Sequence, residues 1–282
     1  MSYSKQINQN MKKYTGKIIV YLLVAAFAFA CAKVPITGRR QLKLLPESEL
    51  EAMSLTNYNQ FLSENKVVTT GVDAASLKRV GDKISKAVTT YLTANKYADR
   101  VDGYQWEFKL VQDNTVNAWC MPGGKVVFYS GIIPFCQNET GIAVVMGHEI
   151  AHAIARHGNE RMSQGVAQQL GGVALAVAVA DKPQETQQLF GLAYGLGTQV
   201  GVMLPFSRKH ESEADEMGLY FMAMAGYNPK EAPAFWERMN AAGGARPPEF
   251  ISTHPSPETR VANLNTWMPK AEKYYTATLA KP

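Results

Sequence analysis

His148-Glu149-Ile150-Ala151-His152 constrains this chain more than any other five residues in it. In a helix, residues four apart share a face, so both imidazoles can reach one ion while the Glu between them lies beside that face. The surrounding pattern predicts a helix. Ile142, Val145, Met146, Ile150 and Ile154 recur at three- and four-residue spacing, Asn138 can cap the first turn, Glu139 lies within it, and Gly158 is the expected stop. With His at about 2% and Glu at about 6% of residues, such a match arises by accident in under about 1% of chains this long, so an incidental surface pair is set aside. Zinc is the expected ion, because neutral imidazole suits it and it is redox-silent. Glu149 would then take a proton from the attacking water.

A catalytic zinc takes three protein ligands and keeps one position open, so the chain must supply a third donor. The segment Ser207 to Asp215 (SRKHESEAD) is the best source. Glu211 and Asp215 lie four apart on one helical face, so Glu211 could ligate while Asp215 accepts a hydrogen bond from a ligating His. Glu213 and His210 compete with Glu211. Glu213 points about 200° round from Glu211, so both cannot face the ion.

The 282 residues, 46% hydrophobic and 19% charged, can bury one sizeable core. The net charge of +5 does not argue for nucleic acid, because Lys5, Lys12, Lys13 and Lys17, with no acidic residue among them, supply four of the five charges. Residues 1–30 read as a bacterial signal peptide of the lipoprotein type. Basic residues precede the 13-residue apolar run Ile18 to Ala30, which is too short to span a bilayer. Ala28-Phe29-Ala30-Cys31 resembles a lipobox with Cys31 as the first mature, lipid-bearing residue. Outside the cytoplasm Cys120 and Cys136 could close a disulfide; two buried free thiols are the alternative.

Residues 31–46 read as an extended segment, and 47–282 as one domain. Helices are predicted over Glu47–Glu64, Asp73–Tyr97, Arg208–Ala225, Pro229–Ala242 and Pro257–Trp267. Tyr104–Gln112, Thr115–Met121 and Lys125–Ile133, punctuated by Pro122-Gly123-Gly124, predict a small antiparallel sheet leading into the metal helix. The stretch Gly165–Leu204 is rich in Gly and Ala and is broken near Asp181-Lys182-Pro183. Its apolar run from Leu170 to Ala180 is below spanning length, and Gly191, Gly195, Gly197 and Gly201 would permit close helix packing.

HEIAH, the later E-S-E-A-D, the preceding NAWCMPGG and a following T-H-P segment together resemble the gluzincin metallopeptidase family of HtpX and the CAAX prenyl protease. The likeness is strongest to its short bacterial lipoprotein members (LoiP-like) and to the peptidase half of BepA, and covers nearly all of the chain after Cys31. It implies an α+β fold: a mainly helical zincin-type metallopeptidase domain with a small antiparallel sheet beside the HExxH helix. It implies one Zn2+ per chain held by His148, His152 and Glu211, with Glu149 catalytic and Asp215 behind a ligating His. Thr253-His254-Pro255 resembles a late His-Pro segment of the family. That gives His254 two readings, ligating zinc at rest or stabilising the oxyanion during turnover. Arg260 would position that loop. Gly123, Gly124, Lys125, Val126 and Val127 would begin a strand running to Ser130, with Asn117 and Ala118 beside it, to which a substrate segment adds by main-chain hydrogen bonds.

The function so implied is a zinc-dependent endopeptidase of the bacterial cell envelope that hydrolyses unfolded or misassembled proteins. The alternative is a lipid-anchored chaperone or assembly factor whose zinc is latched by His254. Expected partners are unfolded or misfolded envelope proteins and, through the lipid anchor, a membrane, with no nucleic acid. The expected placement faces the periplasm from the outer membrane of a Gram-negative-type bacterium, and the oligomeric state is left open.

Overall fold

The computed structural model describes residues 31–178, 184, 187–188, 191–192, 204–242, 250, 254 and 259–280. The leader, the break near Asp181 and Gly195, Gly197 and Gly201 lie outside the described residues. In chain order the elements are β1 (Cys31–Lys33), β2 (Arg40–Leu42), α1 (Glu47–Glu64), β3 (Val67–Val68), α2 (Val72–Ala94), β4 (Glu107–Val111), β5 (Ala118–Met121), β6 (Lys125–Tyr129), α3 (Ile133–Cys136), α4 (Glu139–Ile154), α5 (His157–Ala178), α6 (Leu204–Met224), α7 (Glu231–Ala241) and α8 (Arg260–Leu279). Among the described residues no helix is long and apolar enough to cross a membrane.

Helix α4 is the central element. The Asn138 side chain accepts from the backbone N–H groups of Thr140 and Gly141 at 2.8 and 3.1 Å and so satisfies donors that the first turn leaves open. Ile142, Val145, Met146, Ile150 and Ile154 are buried as expected, and so is nearly every other residue of the helix, because elements pack against it on several sides. Its most extensive neighbour is α6. The two backbones touch where glycine meets glycine. A Cβ on Gly147 would lie 2.7 Å from the Gly218 carbonyl oxygen, and one on Gly218 would lie 2.7 Å from the His148 nitrogen.

The helix ends at Ile154, four residues before Gly158, which lies inside α5. Arg156 makes the break with a left-handed φ of 57°. That costs a non-glycine residue energy. It is offset by a buried guanidinium that donates to the Asp99 carbonyl at 2.7 Å and lies 3.3 Å from Glu47. At the other end of the chain, α8 runs past Trp267 and through Pro269 to Leu279. Packing carries it beyond the proline: Ala271 is buried, Tyr274 packs on Tyr91 and Tyr220, and Thr278 bonds the Met224 carbonyl at 3.1 Å.

The sheet has the order β3-β4-β6-β5 and is mixed, not wholly antiparallel. β5 and β6 form the expected hairpin, turning through Gly123 and Gly124, both left-handed at φ 86° and 80°. β6 is then inserted beside β4 and runs parallel to it. β1 and β2 form a separate hairpin over the expected extended segment. It docks on the end of α4 and on α5, where Gln41 donates to the Ala155 carbonyl and the Leu44 N–H to Ser163.

At Gly218 the obstructing atoms are all backbone, so nothing can give way. Gly218→Ala is expected to destabilise the fold by about 1–3 kcal/mol through overpacking. Gly158→Ala, whose Cβ would meet nothing within 4 Å, should be neutral or slightly stabilising. Urea unfolding midpoints measure both, and equal midpoints for the two variants would contradict the close crossing.

Candidate metal centre

The glycine crossing sets one turn of α4 against one turn of α6. His148, Glu149 and His152 come from the first, Glu211 and Asp215 from the second. The Nε2 atoms of His148 and His152 lie 3.1 Å apart. Glu211 offers Oε2 at 3.3 Å from the first and Oε1 at 3.4 Å from the second. His254 brings Nδ1 to 3.3 Å from His148 Nε2 and 3.1 Å from Glu211 Oε2. One donor atom from each of these four residues lies within 4.8 Å of the others.

Neighbouring donor atoms stand 3.1–3.4 Å apart, with Glu211 presenting Oε2 to His148 and Oε1 to His152, close to the spacing of ligands that each lie about 2.0–2.1 Å from a zinc. Three imidazoles and a carboxylate therefore fit zinc in both chemistry and spacing. Burial opposes ionisation of Glu211, yet the imidazoles of His152, His148 and His254 hold its carboxyl far below the usual carboxylate range. Burial likewise resists a proton on His148, but Asp215 and Glu211 outweigh it and lift that ring to about 9. Burial pushes His152 well below its ordinary value. A pocket that draws protons onto His148 by its carboxylates draws a cation to the same place.

Glu149 stands beside this group. Its Oε1 is buried without a hydrogen-bond partner and lies 3.6 Å from His254 Nε2. Burial raises its pKa, and the Cys120 backbone N–H bonds its carboxylate. An orphaned carboxylate oxygen at the edge of a metal group is placed to hold a water or a substrate proton. The group opens into a cleft lined by Trp119, Cys120, Glu149, His152, Glu211 and His254.

Asp215 accepts from His148 Nδ1 at 3.0 Å, the position expected of a residue behind a ligating His. Arg260 meets the carboxylates of the site directly. Its buried guanidinium donates to Asp215 at 2.6 Å and to Glu211 at 3.2 Å while lying 3.8 Å over the Trp236 ring, and residues 251–253 and 255–258 around His254 lie outside the described residues. As the first residue of α8 it faces α6, a neighbour that spacing along the chain does not reveal.

Glu213 and His210, the competing donors, both face a separate buried cluster: Glu213 bonds His157, Arg39 and Thr37, and His210 bonds Glu160. His157, five residues after His152, was not singled out by the sequence. It follows the left-handed Arg156, where the phase of the HExxH helix is lost. Only its place in the run HEIAHAIARH offered a signal.

Two expectations are corrected. Cys120 and Cys136 form no disulfide; both thiols are free. Cys120 lies on β5 beside Glu149, whereas Cys136 is buried on α3 near Arg238 of α7, and burial raises both thiols. The strand expected to receive substrate, from Gly123 and Gly124 through Lys125, Val126 and Val127, cannot do so. β6 is paired on both edges, by β4 and by β5, and Val126 and Val127 are fully buried. The strand at the end of the sheet beside the cleft is β5, from Ala118 to Met121, with Asn117 just before it.

An HExxH pair completed by a carboxylate from a second helix, with a buried glutamate beside it, defines a metallopeptidase centre of the gluzincin type. The chain belongs to peptidase family M48, whose family model matches residues 78–268. It is 34% identical over 251 residues to the mitochondrial metalloendopeptidase OMA1 of Schizosaccharomyces pombe, covering 85% of this chain and 67% of that protein. With the OMA1 metalloendopeptidase of Homo sapiens it shares 28% over 282 residues, 95% of this chain and 52% of the relative. With the beta-barrel assembly-enhancing protease of Escherichia coli it shares 34% over 170 residues, 56% of this chain and 33% of the relative.

These relatives overturn the expected placement at the periplasmic face of a Gram-negative-type outer membrane. The proteins matched over 85% and 95% of the chain are mitochondrial by name.

Glu211→Ala is expected to remove most of the zinc that copurifies with the chain, as measured by elemental analysis. Undiminished zinc in that variant would refute Glu211 as a donor.

Proposed function

We propose that this chain is a zinc-dependent endopeptidase that cuts extended, unfolded polypeptides laid along the edge of β5. The observation that carries the reading is the convergence of His148, His152 and Glu211 on one point with the unpartnered Glu149 carboxylate beside it. Zinc held there would supply Lewis-acid polarisation of a peptide carbonyl and of water. Glu149 takes the proton of the attacking water, and burial, by raising its pKa, strengthens it as a base. It returns that proton to the leaving amine. Arg260 holds Glu211 and Asp215 in place while this happens.

Main-chain pairing along β5 favours broad sequence tolerance, which suits unfolded or misassembled substrates better than a single cleavage site. His254 supplies a fourth donor, which favours a resting form in which its ring occupies the position that water needs. The ring packs on Phe250, itself stacked on Trp236, so release of His254 means leaving an aromatic contact.

Glu149→Gln should retain zinc at the wild-type level yet lose cleavage of casein by at least a hundredfold, the scale of a missing general base; retained cleavage contradicts the assignment. His254→Ala should cleave casein faster than wild type if the ring is a latch. Loss of cleavage in that variant would instead make His254 part of the turnover machinery. An inert variant that still binds unfolded protein would favour a chaperone.

A further inference from the structure

Both paired imidazoles are backed at the nitrogen that faces away from the convergence point, but by different groups. His148 Nδ1 meets a carboxylate, Asp215, which is in turn gripped by Arg260. His152 meets a second imidazole: its Nδ1 lies 2.9 Å from His157 Nδ1. His157 Nε2 bonds Glu213 Oε2 at 2.9 Å, and Glu213 accepts from Arg39 Nε at 2.9 Å and from the Thr37 hydroxyl. Arg39 also spans to Glu160 with two bonds of 2.8 and 2.7 Å, which fixes the guanidinium from the other side.

The proton inventory along this line has one solution when His152 presents the lone pair of Nε2 to a cation. Its single proton then sits on Nδ1 and must be donated. His157 Nδ1 has to accept it, so His157 carries its own proton on Nε2 and gives it to Glu213. Glu213 has to be ionised to take it, and Arg39 supplies the opposite charge. Each group thereby sets the tautomer of the next.

Stability alone is a poor reason for the cluster. His157, Glu213 and Glu160 are buried, and burying charges costs desolvation that an apolar set of the same volume would avoid. Arg39 and Thr37 come from the turn between β1 and β2, outside the family match that begins at residue 78.

We propose that His157, Glu213 and Arg39 form a positioning relay that fixes the tautomer and ring orientation of His152, and so ties metal retention to the N-terminal hairpin. The proposal rests on the zinc reading above. These groups touch no reacting atom; they act through His152.

The test uses the full chain and competition for zinc against a chromophoric chelator, without reference to peptidase activity. His157→Phe should weaken zinc binding by about 10- to 100-fold, the usual effect of removing a group behind a ligand. His157→Asn, whose amide oxygen can accept where Nδ1 did, should recover part of that loss. Arg39→Leu should weaken binding although Arg39 touches no zinc donor, and the His157→Phe/Arg39→Leu double variant should be little worse than His157→Phe alone, because both cut one path.

Nitrogen-15 spectra of the zinc-loaded wild type provide a check without any variant: His157 should appear with its proton on Nε2. A His157 protonated on Nδ1 overturns the relay. So do folded His157→Phe and Arg39→Leu proteins that bind zinc within about twofold of wild type. A wild-type chain that binds no zinc sinks the metallopeptidase reading first, and the relay with it.

Discussion

Two helices meet at a pair of glycines, and the metal centre follows from that approach. Gly147 of α4 and Gly218 of α6 leave no room for a Cβ, so the backbones come close enough for His148 and His152 on one helix to face Glu211 and Asp215 on the other. Donors arriving from two rigid, buried helices are held to tenths of an ångström without help from a loop. The α4 cap at Asn138 and its break at Arg156 set where that helix begins and ends, and hence which of its turns faces α6.

Around this crossing the protein buries an unusual amount of charge: His148, Glu149, His157, Glu160, His210, Glu211, Glu213, Asp215 and Arg260 are all inaccessible. Each charge is tolerable because another answers it. Arg260 neutralises Asp215 and Glu211 on one side, and Arg39 neutralises Glu213 and Glu160 on the other. Glu149 keeps one carboxylate oxygen without a hydrogen-bond partner. Because it faces the cleft, that unpaired carboxylate oxygen marks where a substrate atom or water belongs.

Much of this was legible in the sequence because the signals are local. A helical period, an Asx cap and a four-residue spacing are properties of one segment, and they identified α4, its stripe and the His148–His152 pair. Helical phase also separated Glu211 from Glu213, though the choice between them needed the family pattern. What could not be read depends on neighbours far away in the chain. Alternation assigns a strand's faces but not its partners, and the family resemblance gave β6 an edge that β4 and β5 both cover. The last helix was expected to end at Trp267, and packing of Tyr274 against α2 and α6 carries α8 on to Leu279. His157 lies beyond a left-handed residue that resets the helical phase, and Arg39 reaches it from 118 positions upstream in an unremarked turn.

Zinc-edge X-ray absorption of the zinc-loaded full chain tests the convergence most directly. The expected spectrum is four-coordinate, with nitrogen and oxygen at about 2.0–2.1 Å, the outer-shell scattering of imidazole rings, and no sulfur. A zinc–sulfur distance of about 2.3 Å would put Cys120 or another thiol in the first shell and contradict the His148, His152, Glu211 and His254 set.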